Sequence, residues 1–167
     1  MSRIALYTFG LSRYGLESRS MASFARLIHE IYEAAYKSEG FVAQAMDARP
    51  DLAGEDKIGQ DYGQWGTYEV PRFVFTKEDS VQRKEQEIIT LSIWDDLQSA
   101  SRFVYWGVHQ AALQRRKEWF QSGPWPSHVI WRIGDDETPT WAAGAHRLEA
   151  LFDKGPSDEY FTFSTDS

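Results

Sequence analysis

Strands and helices alternate along this 167-residue chain in an order that predicts an α+β fold. Glu87–Trp94 (EIITLSIW) and His128–Ile133 (HVIWRI) have the β-branched and aromatic composition of strands. Met21, Phe24, Ala25, Ile28, Tyr32 and Ala35 recur at the spacing of a helix buried along one side. The full order is strand, helix, strand, long insertion, strand, helix, strand, then a helix and a tail. Two βαβ halves in that order predict a ferredoxin-like antiparallel sheet with helices on one face. The other face would then be bare, and a second copy of the chain is the expected cover.

Ile4–Phe9 (IALYTF) reads as the first strand, and Leu11–Glu17 as a loop. Ser18 or Ser20 is placed to cap the first helix, which Gly40 stops. His29 sits beside the apolar stripe with Glu30 and Glu33 near it, as a solvated histidine does. Phe41–Met46 is the second strand. Asp47–Gly66 has four Gly, one Pro and five acidic residues, which is loop composition at unusual length. Tyr62 and Trp65 within it point to an ordered role, because rings in a polar loop are costly unless they cover something.

Thr67–Thr76 reads as a strand bent by Pro71, and Lys77–Gln86 as a charged turn. In Glu87–Trp94, Ile89, Leu91 and Ile93 form an aliphatic row. Ile88, Thr90, Ser92 and Trp94 form a mixed row suited to a pocket wall. Asp95 or Asp96 caps a long central helix, whose stretch Ser101–Phe120 reads as one element ended by Gly123-Pro124-Trp125-Pro126. In the strand His128–Ile133, Val129, Trp131 and Ile133 share a face. Thr138 and Pro139 open a further helix, with Trp141, Ala145, Leu148 and Phe152 as its stripe and Gly155-Pro156 as its end. Tyr160–Phe163 is a final strand or a docking tail. The expected organisation is one domain, 1–167, with an insertion at about 47–86 and a C-terminal helix plus tail at 138–167.

A chain of this length buries roughly two-thirds of its unfolded surface and needs no metal or disulfide to fold. It has no cysteine, which excludes disulfides, thiolate metal sites and thiol nucleophiles. Its 25 acidic and 18 basic side chains leave a net charge of -7 without a basic stripe, so nucleic acid is not an expected partner. No signal peptide or membrane span is read from the sequence, and the expected location is the cytoplasm. No clustered metal ligands, Gly-rich phosphate loop or Gly-x-Ser-x-Gly elbow occurs, so zinc, nucleotide cofactors and hydrolase triads have no support.

Several words of the sequence resemble the DUF3291 family. They are Gly40-Phe41-Val42, Leu91-Ser92-Ile93-Trp94, Phe103-Val104-Tyr105, His109, Arg115-Arg116 and Trp119-Phe120. Pro139-Thr140, Arg147-Leu148, Leu151, Gly155-Pro156 and Phe161-Thr162-Phe163 extend the match to about four-fifths of the chain. Ala43-Gln44, Trp106 and Ala143-Gly144 depart from the family pattern, and the region 47–86 is longer than usual in it. The resemblance implies a dimeric α/β barrel, in a superfamily that looks like the antibiotic-biosynthesis monooxygenases, polyketide cyclases and haem-degrading oxygenases. Those proteins place a small-molecule cavity between sheet and helices.

On that architecture His109 shares a helix face with Tyr105, Ala112, Leu113 and Arg116. Its imidazole can serve as a general base, ligate haem iron, or simply hold the helix through a backbone carbonyl. His109 and Tyr105 are the candidate catalytic pair. The candidate substrate-binding residues are Tyr7, Phe24, Ile28, Trp65, Trp94, Trp106, Arg116 and Trp131. Arg115 and Arg116 are placed either to bind a carboxylate or phosphate or to complement the helix end.

The resemblance implies a cofactor-independent monooxygenase, cyclase or isomerase acting on an aromatic or polyketide-like substrate as a homodimer. The alternative is a non-catalytic protein that binds a hydrophobic ligand or haem. No other cofactor and no metal is expected.

Overall fold

A computed structural model describes residues 2–53, 56–75 and 87–164. Four strands form one antiparallel sheet: β1 (Arg3–Leu11), β2 (Phe41–Gln44), β3 (Glu87–Trp94) and β4 (His128–Ile133), in the order β2-β3-β1-β4. The helices are α1 (Ala22–Tyr36), α2 (Leu97–Tyr105), α3 (Gly107–Gln114), α4 (Arg116–Trp119) and α5 (Trp141–Lys154). This is the α+β class expected, with the strand order of a βαββαβ plan.

Alternation along β1 divides the molecule in two. Ala5, Tyr7, Phe9 and Leu11 belong to one buried cluster, and Ile4 and Leu6 to the other. The first cluster also takes Ile89, Leu91 and Ile93 of β3 and Val129, Trp131 and Ile133 of β4. The second, on the opposite face, takes Trp94, Ala100, Val104 and Ile130, with Phe103 and Leu113 against it. Helices α1 to α4 lie on this second side.

The face expected to be bare is covered by the chain itself. Helix α5 brings Trp141, Ala145, Leu148 and Leu151 onto it, and the segment after β2 brings Ala45, Leu52, Tyr62, Trp65, Tyr68, Phe73 and Val74. The rings of Tyr62 and Tyr68 pack edge-on against Trp141, with centroids 5.4 and 4.7 Å away. Aromatic rings offer about 150–250 Å² of burial each, which explains why a polar, glycine-rich stretch orders here. The reason for placing a second copy on this face does not hold in this chain.

Gly144 shows how tightly that layer closes. A Cβ there would stand 2.2 Å from Cδ2 of the Tyr7 ring, and Tyr7 is fully buried. Only a residue without a side chain lets α5 sit this close to β1.

Local boundaries differ from expectation in several places. The first helix uses no serine cap; Ser18 caps only a short 3-10 turn by position, with no side-chain hydrogen bond. Strand β2 ends at Gln44 because a 3-10 turn, Ala45–Ala48, follows. Thr67–Phe75 is not a strand: Thr67 makes one isolated bridge to Asp61, and Arg72–Phe75 is a 3-10 turn after Pro71. Thr76 and the turn expected at Lys77–Gln86 lie outside the described residues.

Asp96 caps α2 through Ser99 N–H at 2.7 Å. Thr140, not Thr138, caps α5, accepting from Ala143 N–H at 3.1 Å. Leu151 rather than Phe152 completes the buried stripe of α5, since Phe152 is exposed. Phe161 exchanges backbone hydrogen bonds with Ile130 at 2.8 and 2.9 Å, so the tail docks on β4.

Gly144→Ala gains helix propensity of about 1 kcal/mol but must displace the Tyr7 ring, at the upper end of the roughly 1–3 kcal/mol of overpacking. A net loss of about 1–2 kcal/mol is expected in urea unfolding. Gly15→Ala, where an added Cβ meets nothing within 4 Å, leaves the midpoint unchanged; equal behaviour of the two variants would contradict the close packing of α5 on β1.

Candidate functional site

A cavity of about 590 Å³ lies between the sheet and α1 to α4. Its ceiling is α1. Phe24, Ile28, Ile31, Tyr32 and Ala35 all line it, and only Ala35 among them is fully buried. Their helical spacing would fill a core in a solid protein; here it faces a hollow.

The floor is the mixed row of β3. Ile88, Thr90, Ser92 and Trp94 all line the cavity, as their alternation with the aliphatic row predicts. Register then adds residues from the neighbouring strands: Thr8 lies opposite both Thr90 and His128, and Gln44 opposite Ser92. Thr8 and Thr90 hydroxyls hydrogen-bond to each other, and Trp94 Nε1 donates to Ser92 Oγ at 3.0 Å. Gln44 Nε2 donates to Tyr36 Oη at 2.7 Å, and Tyr36 in turn donates to Asp47 at 2.6 Å. A neutral polar strip thus crosses an otherwise apolar, ring-lined floor, the mixture typical of small-molecule sites.

The expected single central helix is broken. Trp106 is extended, with φ −129° and ψ 156°, and Gly107 has φ +64°. A positive φ suits glycine, which has no Cβ to clash, so the chain turns there and restarts as α3. The break carries Trp106 outward, to 71 % exposure. It also brings His109 back to the end of α2.

There His109 Nδ1 lies 3.0 Å from the Val104 carbonyl, one of the oxygens a helix end leaves unpaired. A carbonyl only accepts, so Nδ1 carries the proton, and in the neutral ring Nε2 has a free lone pair. Burial lowers the pKa of His109, and the Val104 hydrogen bond opposes that shift only in part. Phe103 packs beside the ring, with centroids 5.0 Å apart. The group is therefore a neutral imidazole near pH 7 whose unprotonated nitrogen is Nε2.

His128 also lines the cavity, although the sequence reading places only His109 on an inward-facing element. Its alternation with Val129 puts it on the cavity side of β4. His128 Nε2 accepts from Phe163 N–H at 3.3 Å, and Nδ1 lies 3.1 Å from Ser127 Oγ. Both nitrogens are engaged, so this imidazole braces the tail against the strand. Burial lowers its pKa to about 4.

The structure brings together His109, Tyr105, Phe24, Ile28, Trp94 and Arg116 of the expected site residues, all in the cavity wall. Tyr105 stands at the rim, 43 % exposed, against Phe163. It does not bring in the other four. Tyr7, Trp65 and Trp131 are buried in the opposite layer, because their strand positions or insertion contacts face α5. Trp131 packs there under the Arg147 guanidinium, 5.0 Å from its ring centre. Trp106 points away at the helix break.

Among the described residues no group of three or more His, Asp or Glu could hold a metal ion, and no helix is long and apolar enough to cross a membrane.

The family model described as a domain of unknown function, DUF3291, matches residues 3–167, and the chain belongs to that family. No curated protein matches it. Its fold is similar to the crystal structure of NE2512, a protein of unknown function from Nitrosomonas europaea. That similarity spans 83 % of this chain and 93 % of the other, at 10 % identity and a TM-score of 0.45.

The depressed pKa of His128 sets a pH dependence. The unfolded imidazole takes its proton near 6.5 and the folded one only near 4. Above about pH 6.5 the group costs nothing. As pH falls from there toward 4 the unfolded state is favoured increasingly, by up to about 3 kcal/mol. Urea unfolding across this window should show that loss in the wild type and a shallower one in His128→Gln; parallel pH profiles would contradict it.

Proposed function

We propose that this DUF3291 protein binds a largely apolar, ring-bearing small molecule in the cavity between its sheet and α1 to α4. We further propose that it acts on that molecule without a cofactor, as a cyclase, isomerase or monooxygenase of specialised metabolism. The observation that carries the reading is a hollow of about 590 Å³ with a neutral imidazole in its wall. All three reactions can begin with loss of a proton from an activated C–H or O–H group. His109 Nε2, whose partner nitrogen is held by Val104, is the base for that step. Phe24, Ile28, Trp94 and Phe103 supply the flat walls. Thr8, Thr90, Ser92 and Gln44 supply neutral hydrogen-bonding groups to orient oxygen functions on the ligand. Tyr105 at the rim is the second candidate for managing protons.

A second reading is a non-catalytic carrier of a hydrophobic ligand. It is favoured by the absence of any acidic side chain among the described residues that line the cavity, none of which gives His109 a carboxylate to orient it or stabilise its cation. Haem is a subordinate form of either reading. His109 Nε2 would hold its iron, and Arg116 and Lys117 its carboxylates; bound there it would supply redox chemistry.

Incubation with a metabolite extract of the native host, read by mass spectrometry, separates these readings. His109→Asn keeps an amide N–H at the position of Nδ1, which can still donate to the Val104 carbonyl, but has no basic nitrogen. Both proteins should retain the same compound, and only the wild type should convert it, with a loss of about 100-fold or more in the variant. Equal conversion by both proteins would remove His109 from the chemistry. Retention with no conversion by the wild type would select the carrier. A Soret band on haem addition that is lost in His109→Ala would select haem.

A further inference from the structure

The chain carries a net charge of -7, and the wall of the large cavity runs against that balance. Among the described residues no Asp or Glu lines it, whereas Arg116 and Lys117 both do. These two cations are adjacent on α4. A shallower recess of about 390 Å³ opens beside them, and it shares Leu113, Arg116 and Lys117 with the main cavity.

The charges around them are already satisfied. Arg115 pairs with Glu118 at 2.9 Å and lies 4.7 Å from the centre of the Trp119 ring. Arg13 donates to the Lys117 backbone carbonyl at 2.8 Å, which holds in place the backbone that carries the second cation. Arg116 and Lys117 have no carboxylate partner among the described residues.

We infer that the cavity takes an organic acid, its ring or aliphatic body against the aromatic walls and its carboxylate held at the mouth by Arg116 and Lys117. This rests on the reading of the cavity as a binding site and adds the charge of what binds. A carboxylate at an open mouth keeps part of its hydration, so it avoids the desolvation penalty of a buried ion. It gains charge-assisted hydrogen bonds from two donors. The neutral floor repels no part of the body that follows. A cationic ligand of the same shape would meet two like charges at the entrance.

Calorimetry with naphthylacetic acid and naphthylacetamide tests this, since the two share a ring body and differ in charge. The acid should bind the wild type about tenfold more tightly, and its advantage should shrink as salt is raised. In the double variant Arg116→Gln/Lys117→Gln the acid should fall to the affinity of the amide. The amide should bind both proteins alike, which also shows that the variant is folded. Equal affinity of acid and amide for the wild type would overturn the inference and leave the binding reading standing. So would an acid preference that survives in the double variant. Binding of neither compound would remove both.

Discussion

Side-chain alternation along β1 and β3 is the constraint on which this structure depends. Each strand sends every second residue to one face, so the two faces of the sheet must be solved separately. On one face the chain closes completely: α5 and the aromatic residues of the long insertion interlock with Tyr7, Leu91 and Trp131. On the other face α2 packs onto the sheet, and the floor of the cavity under α1 includes the short side chains of Thr8, Thr90 and Ser92. A hollow is what remains when short side chains on a floor meet a helix supported elsewhere. The supports are visible at its edges, where Phe24 packs against Trp119 and Phe120, and Phe41 against Trp94 and Tyr36.

The two interior histidines lie on the same side of the sheet. Both are desolvated and both line the cavity, yet their hydrogen bonds assign them different work. His128 has a backbone donor on one nitrogen and a serine hydroxyl at the other, and it ties the C-terminal tail to β4. His109 spends one nitrogen on the end of α2 and keeps the other. The helix break at Trp106-Gly107 makes this possible, since a continuous helix would pair the Val104 carbonyl with a backbone N–H of its next turn. A local interruption of regular structure thus both anchors the imidazole and fixes its tautomer.

Much of the architecture is legible in the sequence. The strands at 87–94 and 128–133 are read to the residue, because their composition is unambiguous and turn residues bound them. The mixed row of β3 announces the cavity floor, since hydroxyls beside a Trp do not suit a dry core. Other features need contacts that no single segment contains. Tyr7 and Trp131 look like pocket walls until strand register places them with Leu91 and Val129 on the closed face. Gly107 sits inside an otherwise periodic run, where one glycine is usually tolerated, so the break passes unseen. The insertion reads as loop because its glycines and acids dominate its composition, while its rings bury themselves only once α5 provides Trp141. His128 carried a usable signal, its alternation with Val129.

The central claim is that the hollow under α1 exists to hold a small molecule rather than as a packing defect. Native mass spectrometry of the protein isolated from its own host tests this most directly. The account predicts a folded species heavier than the 19.3 kDa chain by one small organic molecule, released on denaturation. A folded species that repeatedly carries the mass of the bare chain, with no organic molecule released on denaturation, would contradict it.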